Sequence, residues 1–527
     1  MGSSQAITPT QRWTLVASVL GSSMAFLDST VVNVALPRIG QDLGPGSSLG
    51  VLEGQSYVYN GYLLSLSALL ILAGALSDFY GRRRTFVCGL AGFGATSVLC
   101  GLAPSMELLI LFRVLQGAAG ALLIPGSLAL ITTTFEGEQQ GRAFGVWAGA
   151  SAMTTILGPL VGGLLVDSVS WRAAFLINLP LMAVALWATL RHVRESRDPQ
   201  AIGAFDWLGS AIVALAVGGL AFGAIYGQQR DWHDPLAFVA LGVGGVATVA
   251  FPWLMARSVN PLVPLDLFRS RNFGVTNLST LLIYGALYVV FYYLTIYLQG
   301  TLGYTAAAAG LTGTPGALLL GLFSARFGAL AGRYGPRWFM ALGPALMAAG
   351  VFLLSRVPAS STAWRLRPDM PSSFVPPLDF LTQLLPATLL FGVGLTVMVA
   401  PLTTALMTSV PPRRSGVASA INNAISRVGP QLAGALIFIA ITASFYRSLG
   451  QRVPGVDVSS ESVRIQISPL NRPADDVPPE VAAAARAASA DAFQLAMLAG
   501  AGLLLGGAMV NAFGIRKVAP AETPLPE

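Results

Sequence analysis

Apolar runs long enough to cross a lipid bilayer recur along almost the whole chain, and they constrain the fold more than any single motif does. A helix needs about 20 apolar residues to cross the hydrocarbon core, and a lipid-embedded backbone must satisfy its hydrogen bonds within itself. Such runs lie near 13–36, 57–76, 85–103, 108–133, 142–166, 173–190, 207–227, 236–255, 273–298, 306–330, 338–355, 382–404, 416–444 and 492–514. They predict an all-α polytopic membrane protein with fourteen transmembrane helices and both termini on one side. Composition agrees: 10% of the residues are charged, against about 25% in a soluble domain. The net charge of +7 does not call for nucleic acid, because membrane proteins gather basic residues in their cytoplasmic loops. The first run is long enough to span and ends without a small-residue cleavage pattern, so a retained helix is expected there, not a signal peptide.

Arginine sets the side. With the N-terminus inside, the inner segments hold seventeen basic residues and the outer ones eleven. This predicts a multi-pass protein of the cell (inner or plasma) membrane with both termini cytoplasmic. Cys88 and Cys100 share one run, and twelve residues of helix separate them by about 18 Å, too far for a disulfide. His192 and His233 fall in separate loops, so no metal site is expected. No span carries a histidine and no two acids share a catalytic spacing, which argues against an enzyme; no ring of filter residues points to a passive channel. The segment 260–273, NPLVPLDLFRSRNF, is expected to lie as a short amphipathic stretch on the inner membrane surface. The segment near 445–491 is expected to be an exposed excursion, with PPEVAAAARAASADAF as a helical lead-in to the last span.

One phrase occurs twice. GALSDFYGRRRTF runs from Gly74 to Phe86, and GALAGRYGPRWF runs from Gly328 to Phe339, with Gly332 standing where Asp78 stood. Each copy joins the second and third spans of a six-span block. The copies are eight spans apart, so the chain reads as six, plus two, plus six. This places an N-terminal bundle over 1–200, two extra helices over 201–259 and a C-terminal bundle over 260–527, which contains the long outer loop near 445–491. Internal duplication of this kind marks transporter folds, whose binding site lies between the repeats near the bilayer midplane.

Several further stretches point the same way: LDSTVVNVALP (27–37) in span 1, RVLQGAAGALLIPGSLAL (113–130) in span 4, GPLVGG (158–163) in span 5, WRAAFLINLP (171–180) and DWLG (206–209). Together with the repeated phrase, they make the chain resemble the major facilitator superfamily, and within it the fourteen-helix drug:proton antiporter branch. The resemblance covers most of the chain. It implies export of hydrophobic, cationic or amphipathic small molecules by alternating access, driven by protons and without a cofactor. The expected partners are those molecules, protons and the bilayer, with no nucleic acid, and the expected state is a monomer. The alternative is a proton-coupled transporter of one specific metabolite, either a natural-product exporter or a nutrient symporter.

Asp28 is the sharpest single residue, because it lies deep in span 1 whereas the other acids fall in loops or at span ends. An intramembrane carboxylate is costly unless it faces a cavity or a partner. Thr14, Ser18, Ser22, Ala25, Ser29 and Asn33 recur at spacings of three and four, a stripe expected to line a wet cavity beside it. Asp28 is therefore expected to hold either a proton or a substrate cation, the other reading being a packing acid satisfied by neighbouring donors. Arg113, followed by Gln116, either tunes that acid for proton coupling, as the resemblance implies, or bonds backbone across helices. Gly158, Pro159, Gly162 and Gly163 match the antiporter motif, although Thr154 stands where a glycine is usual; ordinary small-residue packing is the other reading. Tyr62, Tyr284, Tyr288, Phe291 and Tyr292, together with Ser22, Ser29, Asn33 and Gln116, are the candidate substrate-cavity residues, with an interfacial aromatic belt as the alternative for the rings. Arg427 also lies within a span and has no partner that the sequence reveals. In the repeated phrase, Gly74, Asp78, Gly81 and Arg82 are expected to form a latch. Asp78 sits at a helix C-terminus, which disfavours an anion, so it needs Arg82 or the positive end of a helix in the other half.

Overall fold

The computed structural model describes residues 7–516, apart from 44–50, 200, 202–203, 230–231, 233, 368–369, 459 and 475–476. Arg230, His233 and Lys517 lie outside the described residues. Each expected apolar run lies wholly or mostly on one helix: α1 (Pro9–Leu43), α2 (Val51–Tyr80), α3 (Arg82–Gly101), α4 (Met106–Thr134), α5 (Gly137–Ser168), α6 (Asn178–His192), α7 (Trp207–Gln229), α8 (Pro235–Arg257), α9 (Arg271–Ile296), α10 (Thr314–Tyr334), α11 (Arg337–Leu354), α12 (Leu385–Thr408), α13 (Ser415–Arg452) and α14 (Pro479–Gly514). Among the described residues, thirteen helical stretches are long and apolar enough to cross a membrane. The long helix outside that set is α5.

Local chemistry sets several of the boundaries. The Ser105 side chain accepts from the Leu108 N–H and starts α4, Asp234 with Pro235 starts α8, and Ser270 starts α9, each supplying an acceptor for an otherwise orphaned N–H. The turn between α2 and α3 needs Gly81 at φ +116°, and its repeat between α10 and α11 needs Gly335 at φ +88°. Side chains rarely adopt that backbone. The tenth apolar run is broken: a short helix, Ala306–Leu311, precedes α10, with Gly313 at the junction.

Helices α1–α6 pack among themselves, as do α9–α14, while α7 and α8 pair with each other and α7 rests on α2 and α13. Two seams join the halves, α2 against α13 and α5 against α10. Glycines make both seams possible. A Cβ on Gly74 would collide with the Gly416 carbonyl and Ala420, and one on Gly141 would collide with the Gly328 carbonyl. Small residues let two backbones approach this closely.

Two loop expectations are corrected. The segment near 445–491 is exposed only in part: Pro454, Gly455, Asp457, Asn471 and Arg472 are exposed, but α13 runs to Arg452, a short helix spans Glu461–Gln466, and Ile467 and Leu470 are buried in the core of the second half. The Leu470 carbonyl accepts from Thr301 Oγ1 at 2.9 Å and Arg452 pairs with Asp491 at 2.9 Å, so the chain folds back onto its own bundle. Its lead-in to the last span is helical, as expected, from Pro479 onward. The segment 260–273 does not lie flat on a surface either. Leu262, Val263 and Leu267 are buried in a core that residues of both halves share, and Asp266 is clamped by Arg414 at 2.6 Å.

Candidate translocation site and latch

Asp28, Arg113 and Gln116 meet inside the first bundle, where all three are fully buried. One Asp28 oxygen accepts from Arg113 Nη1. The other accepts from Gln116 Nε2 at 3.0 Å and from Asn178 Nδ2 at 3.0 Å. Arg113 also donates Nε to the Val58 carbonyl at 3.1 Å and Nη1 to Gln116 Oε1 at 2.8 Å, and its guanidinium lies 4.2 Å above the Tyr62 ring. Ser97 completes the shell by accepting from Gln116 at 2.8 Å and from Asn178 at 3.2 Å. Three donors thus converge on one carboxylate. In this state the carboxylate has no side open to a cavity, so no substrate cation reaches it. Arg113 bonds backbone across helices, as the structural reading expects, and also pairs with the acid.

The polar stripe of α1 is likewise corrected. Thr14, Ser18, Ser22 and Ala25 are buried and face helices, not a cavity; only Ser29 and Asn33, further along, are accessible. Ser22 Oγ donates to the Ser18 carbonyl at 2.6 Å and accepts from Trp147 Nε1 at 2.5 Å. Short hydroxyls permit close helix packing, and that use won here, with Ser22 bonding its own backbone. Tyr62 is buried too, donating to the Ala25 carbonyl at 2.9 Å.

The α9 aromatics divide. Tyr293 and Tyr297 belong to the core of the second half, Tyr297 stacking on Phe493 at 4.0 Å. Tyr288 stacks on Tyr292 at 5.4 Å. Phe291 meets Phe391 of α12 edge-on at 5.6 Å, so it does not share the setting of Tyr284 and Tyr288. Tyr284 and Tyr288 are half-buried, whereas Phe291 and Tyr292 are exposed. In the antiporter motif, a Cβ on Gly158 would overlap Thr30, and one on Gly162 would lie 3.1 Å from Val31, so α5 presses on α1 at both points. Gly163 has nothing within 4 Å and makes no such contact. The side chain of Pro159 lies outside the described residues.

The residues of the expected latch bond across the seam between α2 and α13. Asp78 accepts from Arg82 Nη2 at 2.7 Å and Nε at 3.1 Å within the first half. Across the seam it accepts from the Gly416 N–H at 3.2 Å and the Val417 N–H at 2.9 Å, at the start of α13. Both candidate partners of Asp78 are therefore used, and the carboxylate caps a helix N-terminus of the opposite half. Arg82 reaches across as well, donating to the Pro412 and Arg413 carbonyls at 2.9 and 2.7 Å. Glu195 accepts from the Arg83 and Arg84 N–H groups at 3.0 and 3.1 Å, capping α3. A cavity of about 410 Å³ lies beside the latch, lined by Phe79, Asp206, Pro264, Asp266 and Arg414 among others. The hydrogen-bonded Arg414 guanidinium holds the Asp266 carboxyl below the usual carboxylate range.

Sequence reasoning missed Asn178, Ser97, Glu195 and the carbonyls of Pro412 and Arg413. Asn178 sits inside WRAAFLINLP, but a single amide on an apolar helix carries no periodic signal; a lone amide in a span is itself the hint.

Comparison with known proteins places this geometry. The Major Facilitator Superfamily profile matches residues 18–435. The chain is 34% identical over 435 residues to the multidrug resistance protein Stp of Mycobacterium tuberculosis, covering 82% of this chain and 76% of that one. It is 34% identical over 438 residues to the puromycin resistance protein pur8 of Streptomyces alboniger, with 82% of each chain covered. It is 32% identical over 434 residues to the tetracenomycin C resistance and export protein of Streptomyces glaucescens, covering 82% and 76%. Among solved structures, the human organic anion transporter MFSD10 superposes with a TM-score of 0.58 at 16% identity, over 95% of this chain and 99% of that one. The all-helical fold, the seams between two halves and the profile match over most of the sequence agree: the chain belongs to the major facilitator superfamily.

Proposed function

We propose that the protein is a proton-coupled antiporter that exports hydrophobic, amphipathic drug-like molecules by alternating access. Its two six-helix halves, with α7 and α8 as the added pair, rock about a central site. Both termini and the latch face the cytoplasm of a cell-membrane protein that works as a monomer without a cofactor. The charged latch carries this reading: Asp78 and Arg82 close one face of a two-half protein with bonds that exist only while the halves touch. The drug- and antibiotic-resistance relatives support the substrate class. Asp28 and Arg113 form the coupling pair. A proton reaching Asp28 neutralises the carboxylate, frees Arg113 and loosens the packing of α1 against α4 and α6.

A transporter dedicated to one compound is the second reading, favoured by the relative named for exporting tetracenomycin C. Proteoliposomes with an imposed pH gradient, assayed with a panel of lipophilic dyes, test both. The antiporter reading predicts gradient-driven movement of several dyes and its loss in Asp28→Asn with binding retained. Full gradient-driven transport by Asp28→Asn overturns it, and transport of a single compound favours the second reading.

A further inference from the structure

Arg427 is a cation that neither the latch nor the Asp28 cluster uses. It lies on α13 eleven residues past Gly416, where α13 meets Asp78. That is about 16 Å along the helix axis, close to half the roughly 30 Å thickness of a hydrocarbon core. Arg427 therefore sits near the midplane, on a helix that forms a seam between the halves. Its Nε is shut off from solvent and has no hydrogen-bond partner, while the residue as a whole stays partly accessible. The acids of the second half from residue 369 onward fall in segments flanking the spans or near the outer end of α14, and Asp491 there is engaged by Arg452. Among the described residues, none forms an ion pair with it.

Phenols of both halves lie within electrostatic range of it. Tyr59 and Tyr62 of α2 and Tyr284 of α9 are the groups that interact electrostatically with the guanidinium. Tyr288, one turn from Tyr284, interacts with Tyr59 in turn and offers the Tyr288–Tyr292 stack. Neutral phenols supply no counter-charge, and an uncompensated buried charge is expensive. Arginine does not escape by losing its proton. Asp28 presents the opposite case: its charge is fully met by Arg113, Gln116 and Asn178. The unmet charge between the halves is therefore positive.

We propose that Arg427 reads the charge of the transported molecule, and that the central site selects a flat lipophilic anion: an aromatic framework carrying a carboxylate or acidic enol. The rings of such a molecule lie against Tyr59 and Tyr288, and its oxygens take the fork of the guanidinium. The ligand bridges α2 of one half and α13 of the other, so its occupancy is sensed at the seam that the latch closes. This proposal rests on the export reading for the role of the site, but binding alone tests it.

The experiment measures equilibrium binding to the full-length protein in lipid nanodiscs, by quenching of intrinsic fluorescence, with three probes of one ring system: pyrenebutyrate, its methyl ester and pyrenebutyltrimethylammonium. The wild type should bind the carboxylate at least about tenfold tighter than the ester or the ammonium, equivalent to about 1.4 kcal/mol. Arg427→Gln should bind carboxylate and ester alike, with ester affinity changed by less than about twofold, and Arg427→Lys should keep part of the preference because it keeps the charge but not the fork. No preference for the carboxylate in the wild type, no binding of any probe, or a preference that survives Arg427→Gln overturns the proposal. Should Arg427→Gln fail to fold, the ranking of the three probes by the wild type decides alone, with Tyr59→Ala and Tyr288→Ala expected to weaken all three. Carboxylate preference without gradient-driven transport sinks the export reading and leaves this one; transport without that preference does the reverse.

Discussion

Replacing Asp78 by asparagine should open the latched face, and the structure bounds by how much. The Asp78–Arg82 pair belongs to one half and persists when the halves part, so it does not count toward closure. What closure adds at this residue is two N–H groups of α13, from Gly416 and Val417, on a buried carboxylate. Hydrogen bonds to a charged group contribute about 1.5 kcal/mol each at the low end, or about 3 kcal/mol together. The asparagine oxygen keeps one of them, now neutral and worth about 1 kcal/mol, while its NH2 faces an N–H. The loss specific to the closed state is thus about 2 kcal/mol, which divides the closed-to-open ratio by about 30. A protein closed nine-tenths of the time would then be closed about one quarter of the time. Ser324 reports this well: it is fully buried in the α5–α10 seam, and Cys88 is the exposed native thiol to remove. With Ser324→Cys in a Cys88→Ser background, a small methanethiosulfonate reagent should label the Asp78→Asn protein about eightfold faster, with transport impaired in parallel. Labelling within twofold of the parent, with transport intact, would refute the latch and leave Gly74 to Phe86 as a turn only.

The other expectations concern the coupling pair and the second seam. Asp28→Asn leaves the Arg113 guanidinium buried without its anion, a loss of about 3–5 kcal/mol; the double variant Asp28→Asn with Arg113→Gln should regain most of that thermal stability while staying uncoupled in a proton-flux assay. Gly141→Val, whose Cβ would overlap the Gly328 carbonyl, should prevent closure of the α5–α10 seam, abolish cycling and raise labelling of Ser324→Cys even with Asp78 intact.

Apolar runs and a repeated phrase made the helices and the two-half plan legible, because the bilayer demands both features of the local sequence. Asp28 and Arg113 stood out for the same reason, each being a charge where lipid tolerates none unpaired. Their pairing was not legible, since Asn178 and Ser97 arrive from α6 and α3 through packing that no local spacing encodes. The stripe of α1 misled because a small hydroxyl suits a wet wall and a tight helix crossing equally well. Spacing shows that Ser18 and Ser22 share a face, not what that face meets. The segment near 445–491 misled through composition: its prolines, serines and charges hid two apolar anchors, Ile467 and Leu470. Arg427 was visible as a charge in a span, but its lack of a counter-ion became evident only once the tyrosines of both halves were in place.

The two copies of the repeated phrase now differ for a reason that a further variant can probe. Both build a turn on a glycine with positive φ, Gly81 and Gly335. In the first copy, Asp78 meets the N-terminus of α13 and finds two free N–H groups. In the second, Gly332 meets the N-terminus of α5, and a Cβ there would lie 3.0 Å from the Gly137 carbonyl oxygen and 3.1 Å from the Glu138 Cα. A carboxylate at Gly332 would face an acceptor and a neighbouring acid where Asp78 faces donors. One seam is thus closed by a directional bond to a charge, whereas at Gly332 the other is closed by backbone contact that leaves no room for a side chain. Gly332→Asp should therefore not rescue Asp78→Asn; added to the wild type, it should itself hold the α5–α10 seam apart and speed labelling of Ser324→Cys. Restored closure in the double variant would mean that the charge acts through the turn alone, wherever it is placed, and that the bonds to Gly416 and Val417 are incidental.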